Sequence, residues 1–106
     1  MKLAIYYAVF PDHSTAETIA RTLIAEKLIA CANIFAPHTA IYPWQDKVET
    51  SKEVPAFLKS DGDLHAKLES RYLELHPYEV PCLIRLQVDG ANPDYSAWLA
   101  AVLQKN

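Results

Sequence analysis

The run Leu3-Ala4-Ile5-Tyr6-Tyr7-Ala8-Val9-Phe10 passes through Pro11-Asp12-His13-Ser14-Thr15-Ala16-Glu17 into a segment with a different apolar period. Its first part, with Lys2, reads as a strand over residues 2–10, because an unbroken run with β-branched and aromatic residues suits a strand covered on both faces. Pro11 ends it. Ser14 and Glu17 then have the S-x-x-E spacing of a capping box, and Ala16, Ile19, Ala20, Leu23, Ile24 and Leu28 recur on one helical face. Glu17, Arg21, Glu26 and Lys27 occupy the other face. The expectation is an amphipathic helix lying on a sheet.

Downstream, Leu28 to Phe35 turns strand-like again until Pro37 interrupts it. Thr39 to Trp44 reads as a third strand, Glu49-Thr50-Ser51-Lys52 as the turn, and Glu53 to Lys59 as the returning arm of a hairpin. Pro43 and Pro55 fall inside those arms; without an N–H to give the ladder, each is expected at an edge or a bulge, and a bulge is predicted. Ser60 and Asp63 mark a second helix start, with Leu64, Leu68, Tyr72 and Leu75 on one face. Pro77 stops that helix, placing its boundary at His76. His76-Pro77-Tyr78-Glu79-Val80-Pro81 is then a stiff connector with two fixed φ angles, feeding a last strand from Cys82 to Val88. Asn92-Pro93-Asp94 opens a third helix, whose stripe of Tyr95, Trp98, Leu99, Val102 and Leu103 is expected in the core or at an interface.

The order strand, helix, strand, strand, helix, strand, helix gives two β-α-β units sharing a central hairpin. The predicted fold class is α+β: a ferredoxin-like sandwich with an antiparallel sheet, a long hairpin and an added C-terminal helix, in a single domain over residues 1–106. A two-layer sandwich leaves its second sheet face to be polar, covered by the added helix, or covered by another subunit.

Composition narrows the function classes. The chain has 106 residues, 51% of them apolar, and only two glycines, which is roughly ten more apolar residues than a domain of this length ordinarily carries. Gly62 and Gly90 stand far apart, excluding the dinucleotide fingerprint and the Walker A loop. A net charge of −3 with scattered Lys and Arg argues against nucleic acid as a partner, since phosphates require a basic stripe. Cys31 and Cys82 have neither metal-finger spacing nor a disulfide framework, so reduced thiols in the cytoplasm are expected. No run approaches the ~20 apolar residues of a membrane span, and the N-terminal run ends in Pro11-Asp12 without a small-x-small cleavage site.

Four stretches, in order, carry a resemblance: Glu26-Lys27-Leu28-Ile29-Ala30-Cys31-Ala32-Asn33-Ile34, Ile41-Tyr42-Pro43-Trp44, His76-Pro77-Tyr78-Glu79-Val80-Pro81, and Asn92-Pro93-Asp94-Tyr95-Ser96-Ala97-Trp98-Leu99. Together they resemble the CutA family of divalent-cation-tolerance proteins over nearly the whole chain. The resemblance implies a ferredoxin-like subunit in a tight homotrimer, similar in architecture to the PII signalling proteins, with a hairpin reaching onto a neighbour. It also implies a role in tolerance to copper or other divalent cations and no established reaction; protein partners beyond the homotrimer are left unnamed. The chain departs from the family pattern at His38, where a glycine is usual, at Pro43 and Pro55, at Cys82, where glutamate is usual, and at Ala8, where some members carry cysteine.

Cys31 and His76, matched to the family, are candidates for a soft metal site, since thiolate and imidazole suit copper or zinc. Two ligands fall short of the three or four that zinc takes; Cys82 or Glu79, or further copies of the chain, would complete the set. Against this stands the reading of each cysteine as a small buried hydrophobe and of His76 as a helix cap. Tyr42, Trp44, Glu53, Lys59 and Tyr78 form a second set, an intersubunit cleft able to hold an anion or small molecule as in a PII-like ligand module; plain packing is the competing account. His13, His38 and His65 have no patterned partners and are expected in solvent. Neither G-x-S-x-G nor H-E-x-x-H occurs, so the expected role is not enzymatic.

Overall fold

The structure, a computed structural model, describes residues 2–104; Met1, Lys105 and Asn106, which the expected domain includes, lie outside the described residues. The elements are β1 (Leu3–Phe10), α1 (His13–Ala25), β2 (Cys31–Ile34), β3 (His38–Trp44), β4 (Lys47–Asp61), a 3-10 turn (Gly62–Leu64), α2 (His65–Leu75), β5 (Leu83–Leu86) and α3 (Pro93–Leu103). The sheet order is β2-β4-β1-β5, every pair antiparallel, with β3 paired to the outer part of β4. The two crossovers through α1 and α2 interlock, which is the ferredoxin-like arrangement.

Alternation along β1 sets the layers. Ala4, Tyr6, Ala8 and Phe10 are buried with Ala16, Ile19 and Leu23 of α1 and Leu68 and Tyr72 of α2. Ile5 and Tyr7 face the other way and are only half covered, so the strand expected to be covered on both faces is covered fully on one. On that second face Ile84 and Leu86 of β5 lie opposite Tyr7 and Ile5 and are 52% and 39% exposed. The added helix α3 reaches only one end: Leu99 and Leu103 pack with Ala30, Leu3 and Leu64, while Trp98 stays exposed.

Local chemistry moved several boundaries. Helix α1 is capped by Asp12, whose Oδ1 accepts from the Thr15 N–H at 2.7 Å, and not by Ser14; a carboxylate at the N-cap also meets the positive end of the helix dipole. Ser60 caps nothing. It is fully buried and its hydroxyl donates to the Leu28 carbonyl at 2.6 Å, leaving Asp61 to accept from the Asp63 N–H. Strands β2 and β5 are shorter than expected.

The hairpin turns at Gln45-Asp46, with φ of 49° and 66°, and not at Glu49 to Lys52, which form part of β4. Two successive positive φ values make the tight connection whose twist matches the strands. The predicted bulges are absent, since the register runs unbroken through Pro43↔Val48 and Val9↔Pro55. A two-residue loop makes Trp44 and Lys47 the hydrogen-bonded pair, so Pro43 falls at a non-hydrogen-bonded position of an edge strand and forfeits nothing. Pro55 presents its carbonyl to the Phe35 N–H at 2.9 Å, and its missing donor faces the side where β2 has already ended.

Candidate functional site

The connector after α2 is held at both ends. His76 ends the helix, and its ring is 7% exposed, stacked on Phe10 at 5.4 Å and against Tyr72 and Tyr78. Its Nε2 donates to the Val9 carbonyl at 2.7 Å, and its Nδ1 accepts from the Tyr78 N–H at 3.2 Å. A carbonyl can only accept and a backbone N–H can only donate, so one neutral tautomer is fixed. Burial pushes the His76 pKa below the ordinary value. At the other end the Tyr72 hydroxyl donates to the Cys82 carbonyl at 2.7 Å, and burial raises the Tyr72 pKa.

Between this connector and the hairpin lies a cleft of about 810 Å³, lined by Tyr7, His38, Tyr42, Trp44, Ser51, Lys52, Glu53, Tyr78, Glu79 and Cys82 among others. His38 and Glu53 are directly opposite in the β3–β4 register, and Tyr42 and Trp44 follow on the same face of β3 by the two-residue alternation. The Tyr78 hydroxyl donates to Glu53 Oε2 at 2.7 Å. Burial, then the hydrogen bond to Glu53 and its charge, raise the Tyr78 pKa, and burial, then the Glu53 charge, raise that of the Cys82 thiol, keeping both groups protonated. Tyr42 and Ser51 hydroxyls meet at 3.3 Å.

Four of the five residues expected in a cleft are therefore together. Lys59 is elsewhere, its ammonium 5.4 Å from the centre of the Tyr95 ring, because it sits on β4 well inside the main sheet. Within one subunit the expected metal set is not assembled. Cys31 is in register with Lys59, whereas the His76 acceptor Val9 is in register with Pro55, a separation of about 13 Å along the strand. Both His76 nitrogens are already engaged, Cys82 is in the cleft with a protonated thiol, and Glu79 is exposed. Among the described residues no three His, Cys, Asp or Glu side chains gather to hold a metal ion, so the residues present in one subunit do not fit a metal.

Tyr7 and His38 were missed. The Tyr7 hydroxyl and His38 Nε2 lie 3.1 Å apart, while His38 Nδ1 is buried without a hydrogen-bond partner among the described residues; counting back four residues from Tyr42 on a strand would have placed His38 on the cleft face. His65, also expected in solvent, stacks on Tyr6 and lies 2.9 Å from its hydroxyl.

A ferredoxin-like chain with this connector and hairpin matches the family model described as CutA1 divalent ion tolerance protein over residues 4–102, and the chain belongs to that family. The divalent-cation tolerance protein CutA of Pyrococcus horikoshii is 48% identical over 97% of this chain and 100% of its own length. The crystal structure of the divalent ion tolerance protein CutA1 from Ehrlichia chaffeensis superposes with a TM-score of 0.94 at 31% identity, covering 99% of each chain. A structure called the periplasmic divalent cation tolerance protein CutA, from Archaeoglobus fulgidus, gives 0.92 at 25% identity over 96% of this chain and 99% of its own. Among the described residues no helix is long and apolar enough to cross a membrane.

Proposed function

We propose that the chain, as one domain over residues 1–106, acts as a homotrimer in divalent-cation homeostasis, with copper among the cations, by binding and not by catalysis. The observation that carries this reading is the second sheet face. Phe35, Ile84 and Leu86 are 45%, 52% and 39% exposed there, next to half-covered Ile5, Tyr7 and Phe57, a contiguous apolar surface that a lone subunit leaves in water. Cys31 lies on that face by register, so subunits meeting there would supply the donors that one subunit lacks. Its thiol and that of Cys82 are free, which supports a reducing, cytoplasmic setting. Catalysis by a thiol–imidazole pair is disfavoured because His76 spends both nitrogens on the backbone.

Titration of the reduced protein with Cu(I) and Zn(II) tests the metal role. Cys31→Ala is expected to weaken binding and His76→Phe to leave it unchanged; equal binding by wild type and Cys31→Ala would remove Cys31 from the site.

A second reading, a PII-like small-ligand module, is favoured by the cleft itself, whose volume and mixture of apolar walls with a few placed polar groups are those of ligand sites.

A further inference from the structure

We propose that Asp89-Gly90, in the link between β5 and α3, is a site of covalent self-modification, where the chain converts aspartate into isoaspartate through a succinimide.

The sequence supplies two places for this chemistry, because both glycines follow an aspartate, as Asp61-Gly62 and Asp89-Gly90. In such a pair the glycine amide nitrogen attacks the aspartate Cγ. The new N–C bond replaces the C–O bond of the protonated carboxyl, whose hydroxyl leaves with the amide proton as water. Water then adds back to either carbonyl of the five-membered ring, restoring aspartate or leaving isoaspartate, with no net change of atoms or electrons. Glycine permits the attack because no Cβ crowds its nitrogen. Asn92, in the same link, precedes Pro93, which has no N–H to attack with.

The two pairs differ in how the fold holds them. Asp61 ends β4 opposite Leu3; its Oδ1 accepts from the Lys2 N–H at 3.2 Å and from the Asp63 N–H at 3.0 Å. The Gly62 N–H donates to the Lys2 carbonyl at 2.6 Å, and Gly62 is buried with the Arg85 guanidinium against it. Carboxyl and nitrogen are both tied to neighbouring backbone, so cyclisation there requires opening the end of the sheet. Residues 87–92, by contrast, belong to no helix or strand. Among the described residues nothing hydrogen-bonds the Asp89 carboxylate or the Gly90 N–H, and no atom beyond the chain neighbours lies within 4 Å of where a Gly90 side chain would start. Asp89 can therefore swing onto the Gly90 nitrogen without opening the fold.

Isoaspartate routes the main chain through Cγ, lengthening the link by a carbon and leaving the α-carboxylate as the side group. The change falls shortly before Asn92, whose carbonyl accepts the Ser96 N–H in the first turn of α3. That helix, anchored through Leu99 and Leu103, is the element the modification loosens.

The test incubates the full chain, as it assembles in solution, at about pH 6, where part of the carboxyl is protonated, and in parallel in concentrated urea. Trypsin places the two pairs on separate peptides, residues 86–105 and 60–67, in which electron-transfer fragmentation identifies isoaspartate. In the folded protein it is expected at Asp89 at least about tenfold faster than at Asp61, and in urea at comparable rates at both. Gly90→Val should suppress it at Asp89. Neither glycine has a positive φ, so a side chain at position 90 is compatible with the fold, and an unchanged circular dichroism spectrum verifies this. Because the assembled protein is measured, a neighbouring copy that pins this link registers as protection of Asp89. Protection of both pairs in the folded state, equal reaction of both there, or an undiminished rate in Gly90→Val would each overturn the proposal.

Discussion

Replacing His76 by alanine removes a ring that touches three aromatic side chains and ties two stretches of backbone. The Val9 carbonyl and the Tyr78 N–H each lose their partner, and a buried group left unpaired costs about 1–3 kcal/mol. The emptied space beside Phe10, Tyr72 and Tyr78 adds a packing loss, so the expected total is about 4 kcal/mol. Phenylalanine at the same position restores the stacking and not the hydrogen bonds, so its cost should be roughly half, about 2 kcal/mol. Urea unfolding at one fixed protein concentration measures both. A loss below about 1 kcal/mol for His76→Ala, or one for His76→Phe as large as for alanine, would refute the clasp as described.

Three further outcomes follow from the same geometry. Because burial holds the His76 pKa below its ordinary value of 6.5, the unfolded chain binds the proton first; stability from the neutral ring is present above that value and is lost as pH falls through the folded one. The urea midpoint should therefore drop on acidification from pH 7 to 5, less steeply in His76→Phe; parallel pH profiles would contradict it. Asp12 and Glu26, whose pKa values are lowered by the Thr15 and Arg71 hydrogen bonds, act in a more acidic range. Asp46→Gly, at a φ of 66°, should raise the thermal midpoint through a gain of about 0.5–1 kcal/mol, and a fall would place the turn elsewhere. Ser60→Ala should cost about 1–2 kcal/mol by stranding the Leu28 carbonyl, and a neutral result in urea would show that the carbonyl finds another partner.

Much of the fold was legible because its signals are local. The change of apolar period after Phe10, the stop at Pro77 and the Asn92-Pro93 start each act within one turn of chain. Errors arose where two local signals competed or where the partner is distant. Asp12 and Ser14 both offer an oxygen to the first turn of α1, and only the observed hydrogen bond to Thr15 separates them. Gln45-Asp46 contains no glycine, so the polar run beyond it looked more turn-like. The cleft depends on pairs such as Tyr7 with His38 and Tyr78 with Glu53, which no spacing rule connects. Within one subunit Cys31 and His76 are kept apart by register: Cys31 meets β4 at Lys59, four residues from Pro55, the partner of the Val9 to which His76 bonds, and hydrophobic pattern alone cannot fix that offset.

The apolar sheet face is where these strands lead, and the proposed trimer rests on it. A mass measurement in solution at micromolar concentration tests that claim directly. The account predicts a particle of three times the 11.9 kDa chain mass, shifted toward single chains by Ile84→Lys, which places a charge on the exposed face. A wild-type monomer, or a trimer indifferent to that substitution, would contradict it.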